Sequence, residues 1–171
     1  MTSVTHLVGT RWEHVARRTV EKIVGCPMPG WNLCAASCVV IEIDSGQPVP
    51  NGNQPMMWLV LSGTITSMVT IKEKSHVASY LQKGDIFLET DPHELSELLE
   101  LPTNHQVLES PLALSHKRGV AKENSIILGT PIRLLSALGK RHPEWYRFMV
   151  VALLRLVAYH THREYQFLTM S

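Results

Sequence analysis

The residues with the most reactive chemistry in this chain are three cysteines, nine histidines and a block of carboxylates. Cys26, Cys34 and Cys38 are separated by gaps of seven and three residues. Iron–sulfur clusters draw on four thiolates, usually with closely spaced pairs, so this set does not hold one. An odd, small number of cysteines does not form a disulfide framework either. The three are read as buried structural thiols, with oxidation sensing at Cys26 or Cys34 as the alternative. His76, His93, His105 and His116 fall on different predicted elements, and His160 and His162, two apart on a helix, point away from each other. Neither a metal site nor a haem-type ligand set follows from that scatter. No Ser–His–Asp or Cys–His arrangement is offered, so no catalysis and no cofactor are expected.

The acids Asp91, Glu94, Glu97, Glu100 and Glu109 lie in a stretch, from Ile86 to His116, without Lys or Arg. A probable helix start there offers free amides but surrounds them with like charge, which repels a phosphate. His116-Lys117-Arg118 is the one basic run in the middle of the chain and reads as a solvated hairpin tip. Over all 171 residues, 16 basic and 15 acidic side chains leave a net charge of +1, so no global field attracts nucleic acid. With 44% hydrophobic and 18% charged residues the chain is a folding domain, not a polyelectrolyte. The first twenty residues carry no signal-peptide core, and the longest apolar stretch, 148–158, contains Arg155. A soluble, cytoplasmic protein in a reducing compartment, with no membrane partner, is the expectation.

The elements that must position these groups fall into three stretches. In 8–26, Trp12, Val15, Ala16, Val20, Ile23 and Val24 recur at helical spacing until Cys26-Pro27-Met28-Pro29-Gly30 stops them. From 33 to 130 the pattern is of short strands: 38–43, 57–61, 64–71, 76–81, 86–88, 106–109 and 119–128. Turn chemistry separates them at Asp44-Ser45-Gly46, Ser62-Gly63, Lys72-Glu73-Lys74-Ser75 and Gln82-Lys83-Gly84-Asp85. An insert at 90–106 interrupts them with a short helix opened by Asp91-Pro92-His93-Glu94. In 131–171, a short helix halted by Gly139 precedes a long one opened by His142-Pro143-Glu144 and running to about 168. Met149, Ala152, Leu153, Leu156, Tyr159 and Arg163 trace a coiled-coil-like seam along it, widened by Trp145 and Phe148. The fold class expected is mainly β with flanking helices.

Three motifs in order resemble the effector domain of the cyclic-AMP receptor protein and FNR family of bacterial transcription regulators. Leu59-Val60-Leu61-Ser62-Gly63-Thr64-Ile65 is similar to that family's apolar strand ending in glycine. Val77-Ala78-Ser79-Tyr80-Leu81-Gln82-Lys83-Gly84-Asp85-Ile86-Phe87 looks like its next strand and Gly-Asp turn. Ala121-Lys122-Glu123-Asn124-Ser125-Ile126-Ile127-Leu128, with Pro131 and His142-Pro143-Glu144, resembles the run into its dimerisation helix. The resemblance covers residues 8–171. It implies a β-roll (a double-stranded β-helix, cyclic-nucleotide-binding-like) that cradles a small effector against a long helix, two such helices pairing as a homodimer. The effector would re-aim a helix-turn-helix domain. No length remains for that domain before Ser171, so DNA is expected to be met only through a domain beyond this chain.

The resemblance also marks a ligand site. Glu89 stands where the family's ribose-binding Glu would be, but Leu88 replaces the Gly before it. The position of the phosphate-binding Arg falls at Ser115, with Arg118 displaced by three residues. His160 and Thr161 align with base-contacting positions on the long helix; the plainer reading of His160 is a solvated face. Without a placed guanidinium the pocket is expected to be degenerate and not to take a cyclic nucleotide. His116-Lys117-Arg118 has a second reading, contact with RNA polymerase or an anionic effector. Family members of the FNR type carry an amino-terminal cysteine cluster, which the spacing here does not match. Two other classes stand beside this reading: a stand-alone interaction domain without a DNA role, and a cupin-type metal-dependent enzyme. The cupin needs a clustered His-x-His that is not offered.

Overall fold

A computed structural model of the chain describes residues 2–50, 54–88, 117–152 and 154–155. The described elements in chain order are β1 (Ser3–His6), α1 (Trp12–Val24), α2 (Trp31–Ser37), β2 (Val39–Ile43), β3 (Met56–Ser62), β4 (Ile65–Ile71), β5 (Lys74–Leu81) and β6 (Ile86–Phe87). After them come β7 (Lys117–Ala121), β8 (Ser125–Pro131) and α3 (Ile132–Arg141). A fourth helix, α4, occupies 143–152 and 154–155.

The strands form two antiparallel sheets. One has the order β1-β2-β8-β3-β6, the other β5-β4-β7. Their alternation explains the packing, because successive side chains on a strand face opposite sides. On β3, Trp58 and Val60 point between the sheets, where they meet Ile41, Ile43, Ile65, Phe87, Ala121 and Ile127. Met57, Leu59 and Leu61 point the other way, into a second core built with Ala16, Val20, Trp31, Cys34, Leu135, Trp145 and Phe148 of the helices. The central strands β3 and β8 of the five-stranded sheet are thus buried on both faces, which their nearly continuous apolar sequences require.

Local chemistry sets the element ends. At the start of α1 the Thr10 hydroxyl accepts from the Trp12 amide (3.3 Å), while Glu13 reaches back to the Gly9 amide (3.2 Å). This reciprocal arrangement satisfies amides that a helix start leaves free. Gly25, with φ 84°, ends the helix and donates to the Glu21 carbonyl at 2.7 Å. The β4–β5 hairpin turns on Lys72 and Glu73, both with positive φ (50° and 64°), as a tight two-residue turn demands.

Several elements differ from the reading of the sequence. The stretch 119–128 is not one strand: β7 and β8 lie in different sheets, and Lys122, Glu123 and Asn124 turn the chain between them. Residues at the supposed start of the strands belong instead to α2, which buries Trp31, Cys34 and Ala35. An unforeseen strand, β1, pairs with β2 although all four of its residues are exposed. Gly139 does not stop α3. The helix runs on to Arg141, and the missing side chain makes room for the Met149 methyl group. The insert at 90–106, the strand at 106–109 and the far end of the long helix lie outside the described residues.

Candidate functional site

The Gly-Asp turn sits where a mainly antiparallel roll needs a sharp reversal, between β5 and β6. Gly84 has φ 91°, a conformation that favours glycine. Its amide donates to the Val60 carbonyl (2.9 Å), and the Val60 amide donates back to the Asp85 carbonyl (3.0 Å). The Asp85 carboxylate accepts from the Gln82 amide at 2.8 Å. Asp85 therefore closes the turn on itself and ties it to β3.

Beside this turn opens a cleft of about 910 Å³, walled by α1, by Lys83, Gly84 and Asp85, and by Arg155 of α4. His14, Arg18 and Lys22 follow one another at four-residue intervals on α1, so they line the cleft as one row. Arg18, Lys22, Lys83 and Arg155 are all exposed. Among the described residues the ion pair of α1 joins Arg17 to Glu21 at 3.0 Å and involves none of these four. Among the described residues the rim is positive, and the one carboxylate there, Asp85, is already engaged by the turn. The sequence reading missed this row. Its signal was there in the four-residue spacing on α1 and in Lys83 next to the Gly-Asp turn, but Arg155 joins them only through the fold.

Of the residues expected to hold a ligand, the structure places Arg118. It is exposed on β7, opposite Met68 of β4, and does not line the cleft. Glu89, Ser115, His160 and Thr161 lie outside the described residues. Along the expected seam, Met149 and Ala152 are 2% and 0% exposed and belong to the core of their own protomer. At those two positions, where the sequence reading expected a dimer seam, the side chains are instead buried in the core that the helices share with the five-stranded sheet. Leu154, by contrast, is 62% exposed. The side chain of Leu153 and all of Leu156, Tyr159 and Arg163 lie outside the described residues.

Cys34 and Cys38 are buried, with sulfurs 3.7 Å apart, and the Cys38 sulfur lies 3.3 Å from the Thr130 hydroxyl. The hydrogen bond to Cys38, then burial, pushes the Cys34 thiol up. Cys38, able to accept from both Cys34 and Thr130, is held down despite its burial. Cys26 is partly exposed. Among the described residues no group of three or more His, Cys, Asp or Glu side chains is placed to hold a metal, and no helix is long and apolar enough to cross a membrane.

No protein-family model matches the chain, and no curated protein matches it. Solved structures do resemble it. A cyclic nucleotide-binding domain from Methylobacillus flagellatus is 15% identical with a TM-score of 0.63, over 98% of this chain and 89% of that one. The heme domain of CooA from Carboxydothermus hydrogenoformans is 17% identical with a TM-score of 0.50, over 80% and 84%. The regulatory domain of Toxoplasma gondii PKA, in a co-crystal with cAMP, is 12% identical with a TM-score of 0.55, over 78% of this chain and 47% of that one. The fold is that of a cyclic-nucleotide-binding-like domain, mainly antiparallel β with four helices among the described residues.

Proposed function

We propose that this chain is the effector-sensing and dimerising part of a transcription regulator similar to the cyclic-AMP receptor protein and FNR family, with a degenerate nucleotide pocket. The observation that carries this reading is the cleft itself. It is bounded on one side by the Gly84-Asp85 turn of the roll and on another by Arg155 of α4. A small molecule held there touches both bodies, and a ligand that favours one position of the helix shifts the population toward it. The helix in turn is fastened to the roll by Trp145, Phe148 and Met149. DNA would be met by a domain following this one, and the homodimer would form along the part of the helix that begins at Leu154.

The fold does not select the effector. One of its structural relatives is described as a heme domain and another was crystallised with cAMP. Arg118 does not line the cleft, and exposed cations such as Lys83 and Arg18 each contribute only about 0–1 kcal/mol to an ion pair in water. On this reading a cyclic nucleotide, with one negative charge, is not expected to be held in this cleft. Isothermal titration with cyclic AMP and with cyclic GMP is expected to show no binding heat; micromolar affinity for either overturns the degenerate pocket.

Dimerisation has its own test. Sedimentation equilibrium is expected to show a dimer that Leu154→Asp converts to monomer, because a charge replaces an exposed apolar side chain at the start of the pairing surface. A wild-type chain that stays monomeric at high concentration removes the dimer from the proposal. A reading frame that continues past Ser171 into a helix-turn-helix supports the regulator over the stand-alone domain.

A further inference from the structure

Cys34 and Cys38 stand four residues apart where α2 gives way to β2. Cys34 lies in the helix, and Cys38 follows its last residue with extended backbone (φ −84°, ψ 149°), its amide still bonded to the Ala35 carbonyl. The change from helical to extended backbone swings the second sulfur back against the first, to 3.7 Å. A disulfide bond spans about 2.05 Å, so side-chain rotation of less than two ångströms separates contact from bonding. The two thiols are not equivalent, since Cys38 faces the Thr130 hydroxyl as well as Cys34.

The surroundings favour chemistry at this pair. Beside the pair a cavity of about 10 Å³ is lined by Cys34, Thr130, Trp31 and Trp145, and Cys38 lies behind Cys34 and Thr130, in contact with both but not on the lining. That is close to the room needed by a molecule the size of water. Trp31, 4% exposed, carries an indole N–H that has no hydrogen-bond acceptor. A buried donor without a partner is a standing penalty.

We propose that Cys34 and Cys38 are a modification site, an intramolecular disulfide formed by a small hydroperoxide. The Cys38 thiolate attacks one peroxide oxygen, so that an S–O bond forms and the O–O bond breaks. The departing oxide takes up the proton released by the Cys38 thiol and leaves as water or alcohol, with Cys38 oxidised to the sulfenic acid. The Cys34 sulfur then attacks the Cys38 sulfur. The S–S bond forms, the S–O bond breaks, and the hydroxide leaves as water with the Cys34 proton. Two thiols are oxidised and one hydroperoxide is reduced. The new bond ties the end of α2 to the start of β2. Trp31 of α2 stacks on Trp145 of α4 at 6.5 Å, so the modification is felt at the helix that the roll carries.

The test uses the whole chain, reduced and then exposed to hydrogen peroxide, with intact mass and peptide mapping under non-reducing conditions. The expected product is lighter by two hydrogens across the segment holding Cys34 and Cys38, with Cys26 still open to alkylation. Dithiothreitol is expected to reverse it, and tryptophan emission to change with the same time course. Cys26→Ser behaves like the wild type, while Cys34→Ser stops at a sulfenic acid on Cys38 that dimedone traps. A bond involving Cys26, or two thiols that stay free until the protein is denatured, overturns the proposal. Mapping of the wild type decides the matter even where a serine variant folds poorly.

Discussion

Trp145→Ala is expected to destabilise the protein by about 4 kcal/mol, within the ~3–5 kcal/mol observed when buried aromatic side chains are truncated. Trp145 is 1% exposed and fills the space between α4 and the rest of the helical face. Its ring stacks on Trp31 at 6.5 Å with an interplanar angle of 13°, and meets the edge of Phe148 at 6.0 Å and 84°. Its indole N–H donates to the Pro29 carbonyl. Alanine would leave a cavity, break two ring contacts and strand a carbonyl in the loop before α2. For a chain of this size the melting temperature falls by roughly 8–16 °C. Urea unfolding followed by circular dichroism measures the loss. A change under about 1 kcal/mol would mean that α4 is not docked as described. Trp145→Phe, which keeps most of the ring surface and loses the N–H, is expected to fall between the two.

Gly63→Ala is expected to cost about 3 kcal/mol, because it strains the backbone at Gly63 and drives a methyl group into neighbouring backbone atoms. Gly63 has φ 84° in the turn between β3 and β4. A methyl group there would lie 2.7 Å from both the Asn124 carbonyl oxygen and the Ser125 Cα, and would overlap the Ser125 hydroxyl. That hydroxyl is not free to leave. It accepts from the Thr64 amide at 3.1 Å and donates to the Glu123 carbonyl at 2.7 Å, clasping this turn to the one between β7 and β8. The melting temperature is expected to drop by roughly 6–12 °C. Combining Gly63→Ala with Ser125→Ala does not restore stability, since the backbone atoms stay in the way. Recovery in the double variant would place the strain in the hydroxyl alone.

What the sequence allowed to be read, and what it hid, divides along physical lines. β-branched runs set between Gly, Pro and Asn turns mark most strands of the roll, and Lys72-Glu73-Lys74-Ser75 reads as a hairpin tip, which the positive φ of Lys72 and Glu73 bears out. The first helix was visible because Trp12, Ala16, Val20 and Ile23 keep one face over three turns. By contrast, α2 is too short to show a period, and the Pro-Gly cluster before it reads only as a boundary. β1 carries no burial signal at all; backbone pairing to β2 alone explains it. The merging of β7 with β8 came from apolar residues on both sides of Lys122-Glu123-Asn124, whose separation into two sheets is a tertiary event.

The same limit governs the site. Apolar residues such as Met149 and Ala152 look alike in a sequence whether they fill their own domain or meet a twin's helix, and the packing shows these two buried in their own core. The four-residue spacing of His14, Arg18 and Lys22 was in view, but its meaning depends on Lys83 and Arg155 arriving from elements far away in the chain. The Cys34–Cys38 spacing was seen too. What could not be seen is the kink at the end of α2 that brings the sulfurs together.

The third strand sends Trp58 and Val60 into one apolar compartment and Met57, Leu59 and Leu61 into the other. It is a party wall. A disturbance on the helical side, whether a lost aromatic ring or a newly tethered α2, presses on residues whose neighbours along the chain line the room between the sheets. Neither room can be emptied while the other stays furnished, so a change between the sheets and a change on the helical face reach each other through this one strand.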